Sequence, residues 1–378
     1  MKPKLGFADK ILQELKKENL YRLLRPSTVS GANITMGTKK LLNLCSNDYL
    51  GLSKTKITQK QFQSSSRLVS GNDPSFARLE KRLAAHKSQE SSLVFPTGYM
   101  ANLGAIPALA KSGDVILSDE LNHTSIIEAC RLSGAKILVY KHNDLGDLTK
   151  KLKTYKKVTT KFIATEGIFS MDGDLADLKQ ISEIAEKNDA VLILDDAHGD
   201  FVMGSDGRGS ANHFGVEKKV DVYISSLSKG LGSFGGYVAS SEPIVDLCIN
   251  KARSFIYTSA LPSFLVEVTL QRLNQNREKK RKKLGQNVAY LSGGLRKIGY
   301  DIRSQTHIIP IIIGNEKKAL EFGKFLYECG VFVQPIRYPT VAKNSARLRV
   351  SVTAWLSKDH IDYALDVFEK AGKRFGMS

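Results

Sequence analysis

The sequence predicts an α/β protein with a large domain on a mainly parallel seven-stranded sheet and a smaller C-terminal α/β domain. Three observations predict it. From about residue 60 short apolar runs alternate with stretches of helical periodicity, the pattern of a parallel sheet with covering helices. The run VLILDDAHG (Val191–Gly199) is a continuous apolar strand that ends abruptly in Asp195, Asp196 and His198, as buried parallel strands do where they deliver polar groups to a ligand. The length, 378 residues, suffices for one large domain and a smaller one. We expect an N-terminal helix with short strands over 1–50, a large domain over 51–260, and a connecting helix with a small domain over 261–378.

Phe7, Ile11, Leu12 and Leu15 recur at helical spacing and predict an amphipathic helix over 7–20, stopped before Pro26. Short strand patterns surround Ile34–Met36 and Lys40–Cys45, with Gly37-Thr38 between them. SNDYLGL (Ser46–Leu52) then supplies turn formers beside aliphatic and aromatic anchors. In the large domain, helices are predicted at 75–87, 99–111, 123–133, 144–154 and 177–188. Strands are predicted at Ser92–Phe95, Val115–Ser118, Lys136–Tyr140, Lys161–Glu166, Val191–Asp195, Val222–Ser225 and Gly236–Ala239. A helix-rich connection from about Leu261 to Leu295 contains NREKKRKKLG (Asn276–Gly285), which reads as one solvated helix face. Strands at Ile308–Ile313, Val331–Pro335 and Arg347–Ser351 then alternate with helices at 315–329 and 358–374.

Composition narrows the function classes. Hydrophobic residues make up 42% and charged residues 25%, ordinary for a soluble globular chain. Lys and Arg total 56 against 38 Asp and Glu, a net charge of +18 that attracts anions such as nucleic acid, acidic carrier proteins or phosphate-bearing substrates. No nucleic-acid motif accompanies the charge, so nucleic acid is not the expected partner. Cys45, Cys130, Cys248 and Cys329 lie far apart and read as reduced thiols. The seven histidines show no metal-ligand spacing, so no metal is expected. The N-terminus has no apolar h-region, and HIIPIIIG (His307–Gly314) is too short to cross a membrane. A cytoplasmic location is expected.

YISSLSKGLGSFGG (Tyr223–Gly236) places Lys229 among small hydroxyl residues and glycines, with room around its amine. Such a lysine forms a Schiff base with a carbonyl. Asp195 at a strand end suits the protonated nitrogen of a pyridine ring, so the pair points to pyridoxal 5′-phosphate (PLP). In PTGYMAN (Pro96–Asn102), Thr97 and the backbone N–H groups of Gly98 and Tyr99 open a helix and suit the cofactor phosphate. His123, in SDELNHTS, reads on spacing alone as a helix cap or surface histidine; in a PLP site it stacks on the cofactor ring and later donates a proton. TEGIFSMDGD (Thr165–Asp174) puts Glu166 at a strand end and Ser170 in the next turn. ARLRVSVTA (Ala346–Ala354) sets Arg347 and Arg349 on one side of a strand, where a guanidinium suits a carboxylate; a salt-bridged surface strand is the plain alternative.

GLGSFG (Gly230–Gly235) matches G-x-G-x-x-G, but a dinucleotide fingerprint needs a helix after it and an acid about 20 residues on. Here a strand follows, and no acid is suitably placed. G-x-x-x-x-G-K-[ST] does not occur.

Nearly the whole chain resembles the α-oxoamine synthases of PLP fold type I, through NDYLGL, SRLVSGN, TGYMAN, TEGIFSMDGD, DDAHG, GRGS, SKGLGSFGG, FIYTSALP, IRYPTV and ARLRVSVTA in that order. The most similar member joins L-alanine to a pimeloyl thioester, with loss of CO2 and free thiol, in biotin biosynthesis. IRYPTV…ARLRVSVTA and Arg22, four residues before Pro26, favour it. A sister enzyme using glycine with acetyl-CoA or succinyl-CoA is the alternative. The resemblance implies Lys229 as the cofactor lysine, Asp195 on the pyridine nitrogen, His198 on the phenolic oxygen with Ser170 nearby, and His123 stacked on the ring. It further implies Gly98, Tyr99 and Ser226 at the phosphate, with Thr258 reaching there from a second subunit. Asn47 and Arg349 would hold the amino-acid carboxylate, Thr340 would line the thioester side, and Arg22 would lie near the acyl carboxylate. A homodimer with shared active sites is implied, as is a pimeloyl-CoA or pimeloyl carrier-protein donor. The chain departs from the family at Ser64–Ser66, Phe76, Asp200, Phe201 and Trp355-Leu356, which bears on acyl-chain preference.

Overall fold

The computed structural model describes residues 6–23, 25–54, 64–155 and 160–377. Contacts divide the chain into two compact units, one of Met1–Ser46, Met171–Gly173 and Lys283–Ser378, the other of Asn47–Ser170 and Asp174–Lys282. In chain order the strands are β1 (Ser27–Ser30), β2 (Asn33–Met36), β3 (Lys39–Asn43), β4 (Ser91–Phe95), β5 (Val115–Asp119), β6 (Lys136–Tyr140) and β7 (Lys161–Glu166). They continue with β8 (Ala190–Asp195), β9 (Val222–Ser226), β10 (Gly236–Ser240), β11 (Ile308–Gly314), β12 (Val331–Phe332), β13 (Pro335–Ile336) and β14 (Ala346–Ser351).

The larger unit holds the expected seven-stranded sheet, in the order β4-β10-β9-β8-β7-β5-β6. Strands β5 to β9 pair in parallel, and β10 runs antiparallel to both β4 and β9. A helix at Gly98–Leu109 covers one face through Ala101, Ala105 and Ile106, which pack with Phe95, Ile116, Ile224 and Val238. Small alanines on the helix let it lie close to bulky, branched strand residues, the close packing that protein interiors require. The chain chemistry marks the helix starts. Asp73 caps Pro74–Lys87, Thr97 caps Gly98–Leu109 and Asp177 caps Leu178–Lys187, each accepting a bond from an early backbone N–H that has no carbonyl one turn back.

The smaller unit contains two sheets, β1-β2-β3-β12 and β11-β14-β13. The apolar stretch expected as a single strand, Val331–Pro335, is divided between them. Val331 and Phe332 pair in parallel with Leu42 and Asn43, whereas Pro335 and Ile336 pair antiparallel to β14. Proline has no N–H to give a continuing ladder, which fits a change of partner at that point. β14 sits in the middle of its sheet and is buried along its whole length, arginines included, so the plain alternative of a surface strand is not what forms. The N-terminal helix spans Gly6–Lys17, shorter than expected, and Ile11 and Leu12 on it are exposed. The Phe7 side chain lies outside the described residues. β1 was not expected: STVS is exposed at every position and has no apolar alternation to announce it.

Candidate active site

Strands β5 to β9 are parallel, and β4 shares their direction, so their carboxyl ends finish at one edge of the large sheet. That edge is where open α/β sheets bind ligands. Thr97 and Gly98 follow β4, His123 follows β5, Glu166 ends β7 with Ser170 just after it, Asp195 ends β8 ahead of His198, and Ser226 ends β9 ahead of Lys229. Residues more than 100 apart in sequence thus share one rim because each strand ends there.

Asp195 is buried. Its Oδ2 accepts from the Asn102 amide at 2.7 Å and its Oδ1 from the Ala197 N–H at 2.9 Å. Both of these donors are neutral, so a cationic partner would complete the pairing of this carboxylate. A protonated ring nitrogen fits that requirement. Sequence reading did not single out Asn102, which lies one helical turn beyond Gly98 inside the TGYMAN motif. Its own Oδ1 is buried without a hydrogen-bond partner.

A cradle of anion-binding donors lies at the start of the Gly98–Leu109 helix. Thr97 Oγ1 accepts from the Met100 N–H at 3.1 Å, which leaves the leading N–H groups of Gly98 and Tyr99 at the positive end of the helix. The helix start seats tightly on the strands: a Cβ at Gly98 would stand 3.1 Å from the Ser226 Cβ, and one at Gly236 would stand 2.4 Å from the Gly98 nitrogen. Gly236 therefore has no room for a side chain, and Gly98 has little. Ser226 Oγ, 2.8 Å from Ser228 Oγ, adds a hydroxyl beside the N–H pair. This donor set fits the phosphate of PLP as the buried Asp195 fits its ring nitrogen.

His123 is the N-cap of the helix Thr124–Ser133, so the capping alternative is realised: its Nδ1 accepts from the Ser125 N–H at 3.2 Å. Its backbone N–H donates to Glu166 Oε1 at 2.5 Å. The protein packed around it holds the imidazole below the ordinary histidine range; Asp195 opposes that shift and Lys229 reinforces it. Burial, with Asp195 adding to it, pushes the Glu166 carboxyl well above the usual range, against the pull of Lys229. The rim thus places a histidine shifted toward its neutral form and a Glu166 carboxyl with a raised pKa beside Asp195.

His198 is buried, and its Nδ1 is 2.7 Å from the hydroxyl of Tyr49, a residue that is itself completely buried. Tyr49 Oη is also 3.1 Å from Asn47 Oδ1, so NDYLGL brings Asn47 to this rim through a tyrosine the sequence reading treated only as an anchor. Tyr49 donates to Asn47 Oδ1, and the same hydroxyl holds the His198 ring through Nδ1. Thr258 lies just after the short helix Arg253–Ile256 and is half-buried.

Three expected residues belong to the smaller unit. Arg349 is buried and donates to Ser351 Oγ at 2.8 Å, while its neighbour Arg347 forms an ion pair with Asp172. Thr340 is exposed in the turn after β13, its N–H on the Arg337 carbonyl. Arg22 lines a cavity of about 650 Å³ with Met36, Tyr327, Phe332 and Arg337. Burial, and then the nearby Arg22 charge, lower the Arg337 pKa from its ordinary value. A mainly apolar cavity lined also by the guanidiniums of Arg22, Arg25 and Arg337 suits a chain that ends in an anion. Among the described residues no group of His, Cys, Asp and Glu has the makings of a metal site, and no helix is long and apolar enough to cross a membrane.

Residues 39–368 match the family model described as aminotransferase class I and II. The chain is 42% identical to an 8-amino-7-oxononanoate synthase of Thermoanaerobacter pseudethanolicus, over 99% of this chain and 98% of that one. Among solved structures it resembles a serine palmitoyltransferase of Sphingomonas wittichii (28% identity, TM-score 0.92, 99% of this chain and 98% of the other). It also resembles a high-resolution structure of SPT with PLP (27% identity, TM-score 0.92, 99% of both chains).

Proposed function

Because the chain belongs to the aminotransferase class I and II family, and within it to the relatives of 8-amino-7-oxononanoate synthase, we propose that it condenses L-alanine with a pimeloyl thioester on PLP. The products are 8-amino-7-oxononanoate, CO2 and the free thiol. The single observation that carries this reading is the rim itself: a buried Asp195 held by neutral donors, a lysine turn and a helix-start anion cradle at one sheet edge.

Bound there, PLP supplies a sink for the electrons released at the amino-acid α-carbon. Asp195 holds the ring nitrogen protonated. Lys229 would hold the cofactor and, with its amine released when the alanine amine takes its place, would take and return the proton at the substrate Cα. Tyr49, hydrogen-bonded to His198 Nδ1, orients that ring, and His198 would hydrogen-bond the cofactor's phenolic oxygen, with Ser170 nearby. Gly98, Tyr99 and Ser226 hold the phosphate. His123, its pKa lowered by the protein around it, would pack on the ring, and Glu166, accepting from its backbone N–H, fixes its position. Arg349 and Asn47 grip the alanine carboxylate, and Thr340 lines the thioester side. Arg22 receives the far carboxylate of the acyl chain, which the cavity it shares with Arg337 supports.

We further infer a homodimer in which Thr258 reaches the partner's phosphate. The neighbouring Tyr257 is 78% exposed and Val69 80% exposed, apolar surface that a second copy would cover. Four free cysteines suit a reducing cytoplasm.

The test is thiol release by PLP-loaded protein, comparing alanine plus pimeloyl-CoA with glycine plus acetyl-CoA or succinyl-CoA. Release with the first pair alone supports the proposal, and release with a glycine pair moves the chain to a sister activity. Lys229→Ala should bring turnover to background; a substantial rate in that variant would sink the mechanism.

A further inference from the structure

Behind the rim lies a buried cluster that the chemistry above does not use. Asp200 is completely buried. Its Oδ1 accepts from Lys87 Nζ at 2.7 Å and His86 Nε2 at 2.9 Å. Its Oδ2 accepts from Ser225 Oγ at 2.8 Å and from the Tyr237 hydroxyl. Ser225 on β9 and Tyr237 on β10 are direct register partners, and the turn that joins these two strands carries Lys229. One carboxylate oxygen therefore ties both sides of that hairpin one residue pair from its turn.

The backbone reinforces the arrangement. A Cβ at Gly230, the residue after Lys229, would lie 2.5 Å from the Asp200 carbonyl oxygen and 3.3 Å from the Phe201 Cβ, so the lysine turn rests directly on this segment. Phe201 is held at φ +64°, a left-handed conformation that costs energy for a bulky residue. It stacks on the His86 ring at 4.7 Å and stays completely buried. Three features thus converge on one point: a strained Phe201, a histidine that both stacks on it and bonds Asp200, and a buried lysine. Asp200 and Phe201 are also where the sequence departs from the small residues of the family it resembles.

We propose that Asp200 is a positioning residue: gripped from behind by Lys87 and His86, it fixes β9 and β10 around the lysine turn and so sets where the Lys229 amine stands. The step to catalysis rests on the reading that Lys229 carries PLP. The clamp itself does not.

The test uses the Ser225→Ala/Tyr237→Phe double variant of the holoenzyme. It removes both donors to Oδ2 and leaves the Lys87 and His86 contacts intact, which spares the buried ion pairs. Tyr223→Phe is the control, because its hydroxyl bonds the Glu217 carbonyl from the same strand β9. In the double variant, hydrogen exchange across residues 227–235 should rise. The midpoint of the pH titration of the cofactor–lysine absorbance should move by about 0.5 unit or more. The kcat should fall about tenfold with KM for alanine within about twofold, the signature of a displaced reacting group. Tyr223→Phe should change thermal stability alone. Exchange, titration midpoint and kcat all matching the control would overturn the proposal. A wild-type protein that takes up no PLP on Lys229 overturns the reading of the site instead, and the exchange comparison still decides the clamp.

Discussion

Asp195 and Asp196 follow one another at the end of β8, both buried, yet their surroundings are opposite. Asp195 meets an amide and a backbone N–H. Asp196 meets the ammonium of Lys87 at 2.9 Å and the Ser210 hydroxyl at 2.6 Å. Burial alone would lower the Lys87 pKa, but Asp196 and Asp200 hold it above its ordinary value. Burial raises the Asp196 pKa, with Lys87 pulling the other way. Successive residues leaving a strand face opposite sides, so a single D-D pair serves two ends: one carboxylate meets neutral donors on the rim, and the other pairs with a buried cation beside the loop that carries His198.

Substitutions should separate the two. Asp195→Asn should cost about 10²–10³-fold in kcat through the lost charge in a preorganised site, with the melting temperature nearly unchanged. Steady-state kinetics beside calorimetry reads both. Lys87→Met should do the reverse, destabilising the fold by about 3–5 kcal/mol because two buried carboxylates lose their cation. Denaturant unfolding measures that loss, and a Lys87→Met protein as stable as wild type would remove the contrast. Tyr49→Phe should lower kcat about tenfold by removing the hydroxyl that holds the His198 ring, while leaving assembly unchanged. Thr97→Ala should cost about 1 kcal/mol of stability for the lost cap, together with weaker retention of PLP on dialysis.

A third carboxylate setting on the same rim sharpens the point through pH. His142 bridges Asp119 at 2.9 Å and Asp174 at 2.7 Å. Burial alone would lower its pKa, but hydrogen bonds to Asp119 and Asp174 raise it to about 10. An unfolded histidine titrates near 6.5, at about that pH. The folded pKa is the higher one, so the stabilisation is complete below about pH 6.5 and is lost as pH rises through about 10. Comparing wild type with His142→Gln by unfolding at several pH values should therefore show the largest gap at acid pH and almost none at the alkaline end. A gap independent of pH would mean that the imidazolium is not the stabilising form.

Strand–helix alternation and abrupt polar strand ends were readable in the sequence because periodicity is local and strong. VLILDDAHG announced β8 to within a residue, since a run of branched residues stops at its first aspartate. Lys229, Asp195, His123 and the Thr97 cap were visible for the same reason: each sits where an element starts or stops. Asn102, Tyr49 and Lys87 were not. Each lies inside or beside an element where its residue type is unremarkable, and its partner is 93, 149 or 109 residues away, a separation that no local pattern encodes. The split of Val331–Pro335 escaped notice because an apolar run does not say which sheet it will join.

That split has a consequence for how the chain is made. β3, ending at Asn43, is completed on one side only by Val331 and Phe332. During synthesis the first sheet waits, with one edge unpaired, until nearly nine-tenths of the polypeptide has left the ribosome. Closing so distant a pairing is slow, and an open strand edge invites other chains. A product that stops short of residue 331 would keep that edge for good, so early termination in this gene should yield aggregates, not a shortened soluble protein.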